Sequence, residues 1–171
     1  MRSINYIIAI GFLFVSCEIV EPEYENTLDL DNNSPPGIIF TPEISSTTLG
    51  GSAAVVLNLL EVENIAGVRA RIQYDNARLS ISTISAGSFF SASDPPVFVY
   101  DDNGSGTIDI YSFYMGSDKI KSGTGDVALI VFSTKLPGDS NIEITADSEL
   151  LDENGQFIPI QSFGSGVISA Q

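Results

Sequence analysis

The sequence predicts an all-β fold, an antiparallel two-sheet sandwich of about nine strands. Three observations predict it. Apolar residues occur in short runs or in strict alternation, not at helical spacing. Turn formers bound those runs, with 15 Gly, 8 Pro and repeated Asn-Gly and Pro-Gly pairs. The apolar share of 43% can supply a core, while long stretches of helix formers are missing.

The elements follow in order. "GIIFTP" from Gly37 reads as a short strand, and "AAVVLNLLEV" (Ala53 to Val62) as a long apolar one. "GVRARIQYD" (Gly67 to Asp75) alternates cleanly: Val68, Ala70, Ile72 and Tyr74 point one way, Arg69, Arg71 and Gln73 the other. "RLSISTISAG" is the next strand, with an irregularity where Ile81 and Ile84 fall out of step. "PVFVYDD" and "GTIDIYSFYM" flank "DDNGSG" as a hairpin. "DVALIVFSTKL" is apolar on both faces and belongs inside a sheet. "SNIEITAD" follows the turn "KLPGDS", "DENGQFIPI" carries an Asn-Gly hairpin signal, and "GSGVISA" is a last strand. No helix and no internal repeat is expected.

Charge and composition exclude several functions. With 7 basic and 22 acidic residues the formal charge is −15, which repels phosphate backbones and argues against a nucleic-acid partner. The chain has no His, so Ser-His-Asp chemistry is ruled out and the commonest metal ligand is missing. A single Cys forms no intramolecular disulfide. Twenty-two carboxylates guarantee many candidate acid pairs, so their number does not point to a glycosidase.

Residues 1–16 have a basic start, Arg2, and an apolar stretch from Ile4 to Val15. At about 12 residues the stretch is short for a membrane-spanning helix and fits the apolar region of a secretory signal. Val15 and Ser16 precede Cys17, the only cysteine. The segment resembles the lipobox of bacterial lipoproteins, although Phe14 stands where Leu is commonest. That resemblance implies a lipid on Cys17, cleavage before it, and an outer-membrane lipoprotein facing the periplasm or the exterior. An ordinary signal peptide with a chance cysteine and a weak membrane span are the alternatives. Residues 17–37 are polar and acidic, with Glu18, Glu21, Glu23 and Glu25, and read as a flexible tether. Residues 38–171 hold the sandwich.

The order of the pieces resembles the cohesin module of cellulosomes and related surface proteins. "ENIAGVRARIQYDNARLSISTISAG" (Glu63 to Gly87) matches its Gly-led strand ending in Tyr-Asp, then a turn, a Leu-led strand and a Gly. "SGTGDVALIVFSTKLPGDSNIEI" resembles its Gly-rich loop, core strand and Pro-Gly turn, and "LLDENGQFIPIQSFGSGVIS" its terminal hairpin and last strand. The usual Pro after Tyr-Asp is Asn76 here. The resemblance implies a jelly-roll-like topology and a non-enzymatic module. It also implies that one sheet face binds dockerin, a small calcium-loaded helical module on another protein, such as a polysaccharide-degrading enzyme. The residues carried onto that face are Arg69, Arg71 and Gln73, with Asp109, Tyr111 and Phe113 on the neighbouring strand. An ordinary solvated sheet face accounts for the same residues equally well.

Two other readings stand beside this one. A carbohydrate-binding module would use Tyr74, Tyr100, Tyr111 and Tyr114 as rings for a polysaccharide, against the absence of Trp, and a structural or adhesion domain would use the sandwich alone. For metal, Asp101, Asn103, Ser105 and Asp109 fall at positions 1, 3, 5 and 9 of an EF-hand-like loop, but position 12 is Ser112 and strands flank the loop. A Gly-rich hairpin turn is the preferred reading. A second oxygen-rich stretch, Asp147 to Gly155, also reads first as turn residues. No resident cofactor is expected, and calcium belongs more naturally to the partner.

Overall fold

The structure, a computed structural model, describes residues 33–90, 95–116 and 119–171. The signal segment, Cys17 and most of the tether lie outside the described residues. Alternating and β-branched sequence gives strands throughout: β1 (Gly37–Thr41), β2 (Ile44–Thr47), β3 (Ser52–Ile65), β4 (Gly67–Tyr74), β5 (Leu79–Ala86), β6 (Val97–Asp102) and β7 (Thr107–Phe113). Then come β8 (Lys121–Thr134), β9 (Gly138–Ile144), β10 (Glu149–Leu151), β11 (Phe157–Ile158), β12 (Ser162–Phe163) and β13 (Ser165–Ala170). No helix occurs among the described residues.

These strands form two sheets. One has the order β12-β1-β3-β8-β5. In the other, β4 is central: β7 and then β6 lie on one side, while β10 and β9 share the other side. β11 extends from β10, and β13 and β2 extend from β9.

The sheets are mixed, not wholly antiparallel. The first and last runs of the sequence each cross from one sheet to the other and lie side by side in the same direction. β1 therefore pairs β12 in parallel, and β2 pairs β13 in parallel. Gly164 separates β12 from β13, and a Cβ there would lie 2.8 Å from the Ile39 Cα. Each crossing run divides into two short strands, and the β10–β11 hairpin adds small pieces, which accounts for 13 strands where about nine are read from the sequence.

Inward residues of both sheets meet in one core. Val68, Ala70, Ile72 and Tyr74 of β4 and Ile108 and Ile110 of β7 face Leu57, Leu59, Ile130 and Phe132 of the other sheet. The irregularity expected between Ile81 and Ile84 is a β-bulge, with the register shifting between Ile81 and Thr83.

β3 carries three further register shifts, between Leu57 and Asn58, between Leu59 and Val62 and between Val62 and Ile65. There Glu61 and Asn64 adopt φ values of 44° and 53°. Their N–H groups donate instead to Thr124 Oγ1 at 3.0 Å and Ser122 Oγ at 2.8 Å on β8, so the bends leave neither donor unsatisfied.

After β5 the chain folds back onto β8. The Ser88 hydroxyl donates to Asp126 at 2.7 Å, and the Phe89 N–H donates to the Asp126 carbonyl at 2.8 Å. Phe89 and Phe90 are thereby buried edge to face at 5.2 Å, and Phe90 meets Tyr114 at 5.1 Å.

Candidate protein-binding face

The outward side of β6, β7, β4 and β10 carries the candidate site. Pairing register places its residues in four rows across the strands. The first row runs Val97, Phe113, Gly67, Leu151, Phe157. The second runs Val99, Tyr111, Arg69, Glu149. The third contains Asp101, Asp109 and Arg71, and the fourth Thr107, Gln73 and Glu143. The face thus grades from apolar to charged along the strand direction.

Gly67 shapes the apolar end. A Cβ there would lie 2.8 Å from the Phe113 Cβ, so only glycine allows β4 and β7 this approach. The missing side chain leaves a depression of about 290 Å³ walled by Tyr111, Phe113 and Leu151, with Arg69 and Glu149 at its rim. Val99 is 49% exposed and Phe157 70%, at opposite edges of the same face.

Asp109 organises the charged end. Arg71 donates Nε to Asp109 Oδ1 at 2.9 Å and Nη2 to Oδ2 at 3.0 Å, a two-point bond. Arg71 Nη1 donates to Asp147 Oδ2 at 3.1 Å. Arg69 Nε donates to Asp109 Oδ1 at 3.3 Å, its Nη1 lies 3.6 Å from Glu149 Oε1, and its guanidinium carbon is 5.8 Å from the Tyr111 ring centre. The two arginines are therefore held in fixed conformations by their own sheet.

The hydrogen bonds from Arg71, partly offset by burial, and the charges of both arginines hold the Asp109 carboxyl below its ordinary value of 3.8. For a carboxylate lowered on folding, the stabilising contribution is complete above the ordinary value and is lost as pH falls through the folded value. The thermal midpoint is expected to drop as pH is taken below about 4, and Asp109→Asn should flatten that drop. Identical slopes for the two proteins in a pH series of melts would show that the Arg–Asp109 pairing contributes nothing to stability.

All six residues carried onto the face, Arg69, Arg71, Gln73, Asp109, Tyr111 and Phe113, lie on one side of β4 and β7, as the alternation implies. The sequence reading missed Val97, Val99, Glu149, Leu151 and Phe157. Their own strands show little period, and only cross-strand register joins them to the face.

The EF-hand-like spacing does not assemble a common centre. The Asp109 carboxylate is engaged by two arginines. Asn103 Oδ1 accepts from the Ser105 N–H at 2.9 Å, the Ser105 hydroxyl at 2.8 Å and the Thr107 N–H at 3.3 Å, closing its own turn. In the second oxygen-rich stretch Asp147 serves Arg71, and Asp152 Oδ1 accepts from the N–H groups of Asn154 and Gln156, both at 2.8 Å. Gly155, at φ 74°, completes that turn.

The four tyrosines do not share a platform. Tyr74 is in the core, and Tyr114 packs against it. Tyr100 pairs with inward Ile110 while Tyr111 faces out, so these two rings point to opposite sides of the sheet.

The fold defines a class, a two-sheet β-sandwich module, here with one outer sheet side graded from apolar to charged. A family model described as "Cohesin domain" matches residues 42–161, and the chain belongs to the cohesin family. It is similar to a type II cohesin domain from the cellulosome of Acetivibrio cellulolyticus, with TM-score 0.65 and 19% identity over 77% of this chain and 94% of that one. A non-cellulosomal cohesin from the archaeon Archaeoglobus fulgidus gives TM-score 0.63 and 19% identity over 79% of this chain and 91% of that one. The sixth cohesin of Acetivibrio cellulolyticus scaffoldin B, solved in complex with a Cel5 dockerin, gives 0.64 and 16% over 79% and 98%. No curated protein matches the chain significantly in sequence.

Proposed function

We propose that this chain is a non-enzymatic, envelope-anchored module whose β6–β7–β4–β10 face captures a dockerin-bearing protein. Family membership supports the binding role, and related folds are solved with dockerins bound. The observation that carries the reading to this face is a half-buried apolar row, open at the Gly67 depression, beside arginine side chains already held by Asp109. Apolar and aromatic anchors inside a polar surround are what a protein interface uses, and fixed side chains lose little entropy on binding. Arg69, Arg71, Gln73, Asp109, Tyr111 and Phe113 are the proposed contacts. Calcium is assigned to the dockerin in preference to this chain.

An array of purified dockerin modules, probed with the full chain with and without chelator, tests the reading. At least one dockerin should be retained, and chelator should release it. Retention of none would overturn the reading.

The anchoring half rests on the Cys17 context. Cys17→Ser is expected to move the protein from the membrane to the soluble fraction on cell fractionation. Continued membrane association of that variant would defeat the lipid assignment.

A further inference from the structure

The outer side of the other sheet has a charge pattern of its own. On a chain with 22 acidic residues, β1 and β5 carry no charged residue at all. Register aligns three uncharged rows across β3, β8 and β5: one is serine throughout, one is Ala54, Val131 and Thr83, and one is Val56, Leu129 and Ser85. Leu129 is 38% exposed, and Ala54, Thr83 and Ser85 are open to solvent. Charge returns at the two ends of these rows, with opposite sign. Past Leu129, Asp126 stands opposite Asn58, and Glu61 and Glu63 follow on β3. The Asp126 carboxylate accepts from the Ser88 N–H at 3.1 Å and the Ser88 hydroxyl at 2.7 Å, both neutral partners. At the opposite end, the alternation from Ser133 brings Lys135 to this side. Its ammonium donates to the Asn76 carbonyl, also neutral, and pairs with no carboxylate among the described residues. Arg78 beside it is taken by Asp75 at 3.5 Å.

We propose that a second copy of this chain packs on this side, face to face and antiparallel, so that Lys135 of each copy meets Asp126 of the other. A two-fold interface needs a surface complementary to itself. A neutral centre between a positive and a negative end meets that need in one orientation. With the axis across the strands, between Leu129 and Val131, these side chains pack against those of the other copy. Lys135 then falls within about one residue, ~3.3 Å along the strand, of the other copy's Asp126. An axis along the strands would set like ends together and is disfavoured. Two chains of formal charge −15 repel as wholes, so a side with neutral rows is where they approach with least opposition. Four strands over this length cover roughly 550 Å² per copy, below the about 800 Å² of a standard interface. The dimer is therefore weak and depends on concentration. Both β6–β7–β4–β10 faces stay outward on opposite sides, so the inference does not rest on what those faces bind.

Carbodiimide cross-linking of the purified full chain over a concentration series tests this. The reagent joins a carboxylate to an amine as an amide with no spacer, so only groups already in contact link. Within one chain Lys135 and Asp126 are nine residues apart along extended backbone, about 30 Å, so an amide between them joins two copies. A covalent dimer that grows with concentration and yields the linked Lys135–Asp126 peptide pair is expected. Sedimentation equilibrium, which needs no linkable amine, should show association weakened at least about tenfold by Lys135→Glu and by Leu129→Asp, both at exposed positions, and weakened by added salt. A chain that stays monomeric at every concentration, a dimer linked only through other pairs, or variants that associate as tightly as the parent would each overturn the inference.

Discussion

Phe132→Ala is expected to destabilise the fold by about 3–5 kcal/mol, the usual cost of deleting a buried phenylalanine. Phe132 is fully buried on β8, between Ala53 of β3 and Ile81 of β5 in its own sheet. Its ring centre lies 5.8 Å from that of Tyr74 on the opposite sheet, tilted by 60°. It therefore links the two layers. Tyr74 has little freedom to collapse into the space, because its hydroxyl donates to Asp102 at 3.0 Å. Burial and the Asp102 bond push that phenol up to about 12, so the Tyr74 hydroxyl keeps its proton across the ordinary pH range. Against a typical domain stability of roughly 5–15 kcal/mol, the loss is a large fraction. Chemical denaturation at neutral pH measures it. A change below about 1 kcal/mol would mean that the site repacks and that the layers are not joined there.

Arg71→Glu is expected to weaken capture of the dockerin by at least about tenfold, the scale seen when a charged anchor of an interface is reversed. The substitution removes the two-point bond to Asp109 and the bond to Asp147, and sets a third carboxylate against those two. Like charges at this range repel. Arg69 would turn toward the surplus charge and leave its place over Tyr111. Structural and interfacial effects separate by experiment: the thermal midpoint reports the first, and a titration well below that midpoint reports the second. Unchanged affinity in a folded variant would remove β4 from the interface.

Much of this was legible in sequence for an identifiable reason. Where one face of a strand is buried and the other wet, period-two alternation writes the orientation of each side chain directly. Val68 to Tyr74 shows this, and Arg69, Arg71 and Gln73 fell on the outer side as expected. The Ile81–Ile84 irregularity was equally readable, since a bulge breaks the alternation by one residue. The rest depends on register between strands, which no single strand encodes. That Asp109 stands opposite Arg71, and Leu151 opposite Gly67, follows from pairings of residues far apart in the chain. The strands β11 and β12, of two residues each, are too short to show any period. The parallel pairing of the terminal runs arises from their shared crossing between sheets. Tyr74 illustrates the opposite error: as a ring it suits carbohydrate stacking, yet its place in the alternation with Ile72 already assigned it to the core.

Amide hydrogen exchange on the full chain, free and saturated with a retained dockerin, tests the central claim most directly. Slower exchange is predicted along β6, β7, β4 and β10, greatest around Gly67 and Tyr111, with β1, β3, β5 and β8 unchanged. Protection confined to the β12-β1-β3-β8-β5 sheet would contradict the account.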